Sequence, residues 1–287
     1  MRIALAAPAR KVSPEEMRPA ISMLHDWGME VLVPDGLYAE QHQMAGSDSH
    51  RAALLQGLLD DPSLDAILCC RGGYGTVRII DRLDFSAFRL HPKLIVGYSD
   101  VTVLHSHIHR QLGLPTLHAT MPINMTGSDC PATDSLRRAL MGEPLSYSPA
   151  PHPLNRQGQA CAPVVGGNLS ILYSLLGSPS DIDTRGKILL IEDLDEYLYH
   201  VDRMMQALRR AGKLEGLAGL VVGGLSDMHD NAIPFGRTAE EIVLDAVRDY
   251  DYPVLFNAPF GHIGPLNQAL PLGIPLQLEA STLTSQL

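Results

Sequence analysis

Ser99 lies in Ile95-Val96-Gly97-Tyr98-Ser99-Asp100-Val101, between an apolar strand at 94–96 and a helical stretch at 101–110. A serine at such a bend has its hydroxyl held out at the end of the sheet, beside the first amides of the helix. Nucleophilic hydrolases attack from this position. The hydrolase elbow is Gly-x-Ser-x-Gly, and here Val101 replaces the second glycine. The competing reading is a helix N-cap. A second motif, Arg71-Gly72-Gly73-Tyr74-Gly75, follows the strand at 66–70. It matches neither the dinucleotide nor the Walker pattern. It reads as an oxyanion or anion-binding loop, or as a tight βα turn.

An acid and a base stand further on. Leu189-Leu190-Ile191-Glu192-Asp193-Leu194-Asp195-Glu196 puts acids at the end of an apolar strand, where α/β enzymes bind ligands. Glu192 is nearest the sheet. Asp193, Asp195 and Glu196 fit a role in capping and solubilising the helix that follows, and a carboxylate pair for glycoside hydrolysis is the alternative. Among twelve histidines, His262 is framed by glycines in Pro259-Phe260-Gly261-His262-Ile263-Gly264, and His118, after a short strand, is its rival as base. His105 and His109 share a helix face but have no nearby acidic third ligand, so no metal site is assigned. A serine hydroxyl needs an imidazole to take its proton and a carboxylate to orient that imidazole. Ser99, Glu192 and His262 supply these three groups in the order nucleophile, acid, base.

The elements that must position them alternate strand and helix in the first half. Strands are expected at 3–6, 30–33, 66–70 and 94–96, and helices at 14 onward, 47–59, 76–83 and 101–110. Ser13-Pro14-Glu15-Glu16 is a strong helix start. This pattern implies a mostly parallel sheet covered by helices. Between 142 and 163 the prolines and glycines break it. We therefore expect an α/β protein with a Rossmann-like domain at 1–145, a linker at 146–162 and a smaller β-rich domain at 163–287. In the second half, 187–192 and 218–222 read as strands and 199–211 and 238–248 as helices. The Pro- and Gly-rich tail reads as short strands of a mixed or antiparallel sheet.

Composition narrows the class. The 287 residues are 45% hydrophobic with a net charge of −10, which suits an acidic globular enzyme and disfavours nucleic acid or an anionic membrane as partner. The apolar run after Met1-Arg2 stops at Pro8, too short for a signal peptide, and no stretch is long enough to span a bilayer. The four cysteines show no Cys-x-x-Cys spacing, and a reducing cytoplasm is the expected compartment.

Five blocks together resemble the LD-carboxypeptidases, the serine peptidases that include muramoyltetrapeptide carboxypeptidases and microcin-resistance peptidases. They are Arg71–75, Gly97-Tyr98-Ser99-Asp100-Val101-Thr102, Gly166-Gly167-Asn168-Leu169-Ser170, Ile191-Glu192-Asp193, and Gly261-His262 followed by Leu270-Pro271-Leu272-Gly273. The resemblance implies a triad of Ser99, Glu192 and His262, with serine in the first domain and acid and base in the second. It implies oxyanion donors at the N–H groups of Asp100 and Gly73 and release of a terminal D-amino acid from murein tetrapeptide; with nucleophile, base and oxyanion donors supplied by the chain, no cofactor is expected. Arg71, Asn168 and Arg203 are the substrate-binding candidates, and a homodimer is compatible with the pattern. Departures at Tyr197-Leu198-Tyr199-His200 and at Ile263 bear on substrate preference. A single tryptophan, Trp27, disfavours the microcin branch with its peptide-nucleotide substrate. Two other functions remain: a non-catalytic small-ligand module with Ser99 as a cap, and a glutaminase-like amidohydrolase, which normally has cysteine at the elbow.

Overall fold

The computed structural model describes residues 1–125, 127, 130–279 and 282–285. Its strands, in chain order, are β1 (Arg2–Ala6), β2 (Glu30–Leu32), β3 (Ala66–Cys69), β4 (Leu94–Gly97), β5 (Thr116–His118), β6 (Ser146–Tyr147), β7 (Gln159–Asn168), β8 (Ile188–Leu194), β9 (Gly219–Ser226), β10 (Val254–Leu255), β11 (Leu270–Leu272), β12 (Pro275–Glu279) and β13 (Thr282–Ser285). The helices are α1 (Pro14–Asp26), α2 (Asp48–Asp60), α3 (Ser86–Leu90), α4 (Thr102–Leu112), α5 (Pro131–Leu140), α6 (Leu169–Ser174), α7 (Leu198–Arg210) and α8 (Ala239–Ala246).

Two sheets result. The first runs β11-β5-β4-β3-β1-β2 and is parallel except for β11. The second runs β10-β9-β8-β7-β12-β13-β6, with β7 to β10 parallel and β12, β13 and β6 antiparallel. The tail thus divides. Leu270–Leu272 crosses back to the first sheet, and the last two strands extend the second. Crossover helices require right-handed returns over a sheet face, so the βαβ runs bury strands on both sides.

The side-chain alternation of β8 organises the interior. Ile188 and Leu190 face a core shared with Leu5, Leu68 and Val96 of the first sheet. Leu189 and Ile191 face α7 and α8 through Met204, Met205, Ile242 and Val243. The opposite face of the first sheet packs Ile67 and Ile95 on Leu55, Leu59 and Leu104 of α2 and α4. A strand buried on both faces must be apolar throughout, which explains the uninterrupted run before Glu192. Glu192 continues the face of Ile188 and Leu190, toward the first sheet.

Two expected elements differ. Residues 76–83 form two short 3-10 turns, Thr76–Arg78 and Ile80–Arg82, not one α-helix. The Thr76 N–H is bound by the Asp100 carboxylate at 2.9 Å, and the turn is bent toward the strand end. Ser99–Val101 is likewise a 3-10 turn that leads into α4.

Candidate active site

The serine sits on a strained bend. Ser99 has φ +63°, in the left-handed region, at a cost of about 1–3 kcal/mol for a residue with a Cβ. Tyr98 before it is extended, and the turn has no side-chain cap. Ser99 is therefore not an N-cap, contrary to the competing reading. Gly72 faces it closely: a Cβ on Gly72 would stand 2.9 Å from Ser99 Cβ and 3.0 Å from Oγ.

The bend and the glycine turn are locked together. Buried Asp100 reaches from one to the other through its bond from Thr76 N. Arg51, also buried, donates to the Gly75 carbonyl at 2.9 Å and to the Pro8 carbonyl. Gly73, Ser99 and Asp100 border one cavity of about 270 Å³, together with Asn168, Asp193 and Glu196. As the second residue of a helical turn, Asp100 has an N–H without an intrahelical acceptor. The arrangement can present two backbone donors to charge that develops beside Ser99.

His262 and Glu192 form a hydrogen-bonded pair. His262 Nδ1 lies 2.7 Å from Glu192 Oε2, and the His262 backbone N–H donates to the same oxygen at 3.2 Å. Glu192 is fully buried. The loop can wrap it because residue 261 is glycine, at φ +95°: a Cβ there would stand 2.3 Å from Glu192 Oε2. Burial by itself would lower the His262 pKa. The Glu192 hydrogen bond and charge, with Asp193, outweigh it, so His262 is held above the ordinary histidine value. The bond occupies Nδ1 and leaves Nε2 for a second partner. Ser99 and His262 border the same second cavity, of about 200 Å³, with Gly72 and Gly73. The ring of Tyr98 packs on His262 with centroids 4.9 Å apart.

His118, the rival base, is buried behind Tyr98, with ring centroids 5.8 Å apart. Desolvation pushes its pKa down to about 4, and it borders neither cavity. His105 is spent on the Gly97 carbonyl and His109 on Thr116 Oγ1.

The three substrate-binding candidates are placed differently. Arg71 borders the Ser99–His262 cavity, with Glu16 3.7 Å away. Asn168 borders the other cavity, but its side chain is spent inside the protein. Its Oδ1 accepts from Ile171 N–H at 3.1 Å, capping α6, and its Nδ2 donates to Asp193 at 2.9 Å. Arg203 lies on the exposed side of α7, stacked on Tyr199 at 5.2 Å, and borders neither cavity. Trp27 caps the end of α1 and also borders neither. Sequence reasoning missed Arg10, which borders the cavity of Ser99 and His262. Its position past the carboxyl end of β1 was the available signal.

Comparison with known proteins gives this geometry its context. The family model for the LD-carboxypeptidase N-terminal domain matches residues 3–119, and that for the C-terminal domain matches 162–278. A protein of Bacillus subtilis named probable murein peptide carboxypeptidase is 37% identical, over 99% of this chain and 90% of its own. The murein tetrapeptide carboxypeptidase of Pseudomonas aeruginosa is 26% identical, over 98% of this chain and 94% of its own. The crystal structure of muramoyltetrapeptide carboxypeptidase from Oxalobacter formigenes superposes with a TM-score of 0.87 at 26% identity, covering 99% of this chain and 97% of that one. Both halves match in order, and the first of these relatives is similar along nearly the whole length: the chain belongs to the LD-carboxypeptidase family.

Proposed function

We propose that this protein is a serine carboxypeptidase that hydrolyses the L,D bond to the terminal D-alanine of murein tetrapeptide, acting in the cytoplasm during peptidoglycan recycling. Ser99 is the nucleophile, His262 the general base and Glu192 its orienting acid. The observation that carries this reading is the 2.7 Å bond from His262 to buried Glu192, with Ser99 on the same cavity as His262. The names of the relatives in Bacillus subtilis and Pseudomonas aeruginosa support the substrate class.

The steps follow from the groups present. Ser99 Oγ bonds to the scissile carbonyl carbon while its proton passes to His262 Nε2. The carbonyl oxygen becomes an oxyanion, held by the N–H groups of Asp100 and Gly73. Imidazolium forms beside buried Glu192, whose charge stabilises it. The C–N bond then breaks, and His262 gives its proton to the departing amine. Water attacks the acyl-enzyme, His262 takes the water's proton, and the Ser99 Oγ–C bond breaks as Oγ is reprotonated.

Incubation of the purified protein with murein tetrapeptide, followed by mass spectrometry, tests the reading. The expected product is the tripeptide with one D-alanine released. An unchanged tetrapeptide overturns it.

A further inference from the structure

The two cavities that meet at Ser99 differ in charge. One is bordered by Arg10 and Arg71 and by no carboxylate among the described residues. The other is bordered by Asp100, Asp193, Asp195 and Glu196 and by no cation among them. A peptide cleaved at Ser99 has its acyl part on one side and its departing residue on the other. A departing residue with a free α-carboxylate is repelled by the acidic side and attracted to the side of the arginines.

Arg10 is the freer of the two cations. Arg71 has Glu16 3.7 Å away, whereas Arg10 has no ion-pair partner among the described residues. Its backbone is fixed nonetheless. Arg10 bridges Met44, and its neighbours bond across the same gap, Lys11 N to Gln43 O at 3.0 Å and Ala45 N to Ala9 O at 3.1 Å. Its side chain then lies across the glycine turn. A Cβ on Gly73 would stand 2.6 Å from Arg10 Cδ and 2.8 Å from Nε. Gly73 thus leaves room both for its own amide to face the reacting carbonyl and for the arginine to cross above it. A planar fork of donors at the edge of the site fits a carboxylate.

We propose that Arg10 is a specificity-determining residue that, with Arg71, binds the terminal carboxylate of the departing amino acid and so limits cleavage to chain ends. This rests on the carboxypeptidase reading above.

The test compares tetrapeptide as free acid with its C-terminal amide, in wild type, Arg10→Ala, Arg10→Lys and Arg71→Ala. Loss of a charge-assisted bond costs roughly tenfold to a hundredfold. For Arg10→Ala we expect KM for the acid to rise by that factor, with a smaller change in kcat. The acid-to-amide ratio of kcat/KM should fall accordingly. Arg10→Lys, which keeps the charge and loses the fork, should fall in between. An Arg10 that only braced the glycine turn would lower both substrates equally, and an unchanged ratio in both Arg10 variants overturns the proposal. If Arg10→Ala does not fold, the ratio in Arg10→Lys decides. Wild type that leaves the tetrapeptide intact overturns the underlying reading and the subsite with it. Turnover with an unchanged ratio removes the subsite alone.

Discussion

Gly72→Ala separates the fold from the chemistry. Gly72 lies outside the left-handed region, so its backbone accepts an L side chain. The added methyl would stand 2.9 Å from Ser99 Cβ and 3.4 Å from Met121 Cε. Carbon atoms pack at about 3.5–4.0 Å, so the Ser99 contact falls short by about 0.6–1.1 Å while the methionine can yield. Ser99 cannot rotate away, because its Cβ is fixed by a bend at φ +63° and the bend is tied down through Asp100. The nucleophile must therefore be displaced by a large part of that shortfall. A misplacement of this size costs about 10²-fold in rate, or about 2.7 kcal/mol of barrier. Overpacking costs about 1–3 kcal/mol of stability, which an intact fold survives. The assay is release of D-alanine at saturating tetrapeptide, with thermal melting alongside. A folded Gly72→Ala protein with kcat within about threefold of wild type would refute the close-approach reasoning.

Removal of the reacting groups should act as removal of one unit: Ser99→Ala and His262→Ala should each lower kcat by about 10⁶-fold and Glu192→Gln by about 10⁴-fold, measured in the same assay; an active His262→Ala beside an inactive His118→Ala would reassign the base. Because His262 acts as a base only when neutral and its pKa is raised, kcat/KM should fall as pH drops through a value above the ordinary histidine one, and Glu192→Gln should move that limb to lower pH. The stability sign is opposite: the folded state holds the His262 proton more tightly, so the pair's contribution is full below the unfolded pKa and is lost as pH rises through the folded one, as melting of wild type against Glu192→Gln across that range would show. Thr102→Val should lower stability by about 1–3 kcal/mol in denaturant melts, since Thr102 Oγ1 accepts the buried Asn168 N–H at 3.0 Å; an unchanged midpoint would deny that this bond matters.

What the sequence revealed and what it concealed have physical reasons. Ser99, Glu192 and His262 were legible because strand ends and glycine-framed loops are local patterns, readable within a few residues. The apolar run of β8 was equally legible, since a strand buried on both faces has no polar alternation. The bent turn at 76–83 was not, because the Thr76 N–H is claimed by Asp100, 24 positions away. Nothing local signals that bond. Arg10 escaped notice for a similar reason: its place at the site depends on the crossing over Gly73, and no motif surrounds it. Arg203 illustrates the converse. It was a substrate-binding candidate from the sequence, and the structure spends it on Tyr199 instead of the cavities.

The acids at the end of β8 show how adjacent like charges acquire different work. Glu192 and Asp193 are both buried and point to opposite faces of one strand. Glu192 faces the first sheet and meets His262. Asp193 faces α6, where it accepts from Asn168 Nδ2 at 2.9 Å and from the Ser170 backbone N–H at 2.8 Å. It therefore fastens the start of the preceding helix, not the following one as its place in the sequence suggests. Burial and the Glu192 charge still push Asp193 up to about 6, against the pull of its hydrogen bonds. Two carboxylates this close in a dry interior can both stay useful only if each has its own donors. The alternation of β8 provides this separation. It gives the imidazole one carboxylate and leaves the other to hold the edge of the neighbouring cavity in place.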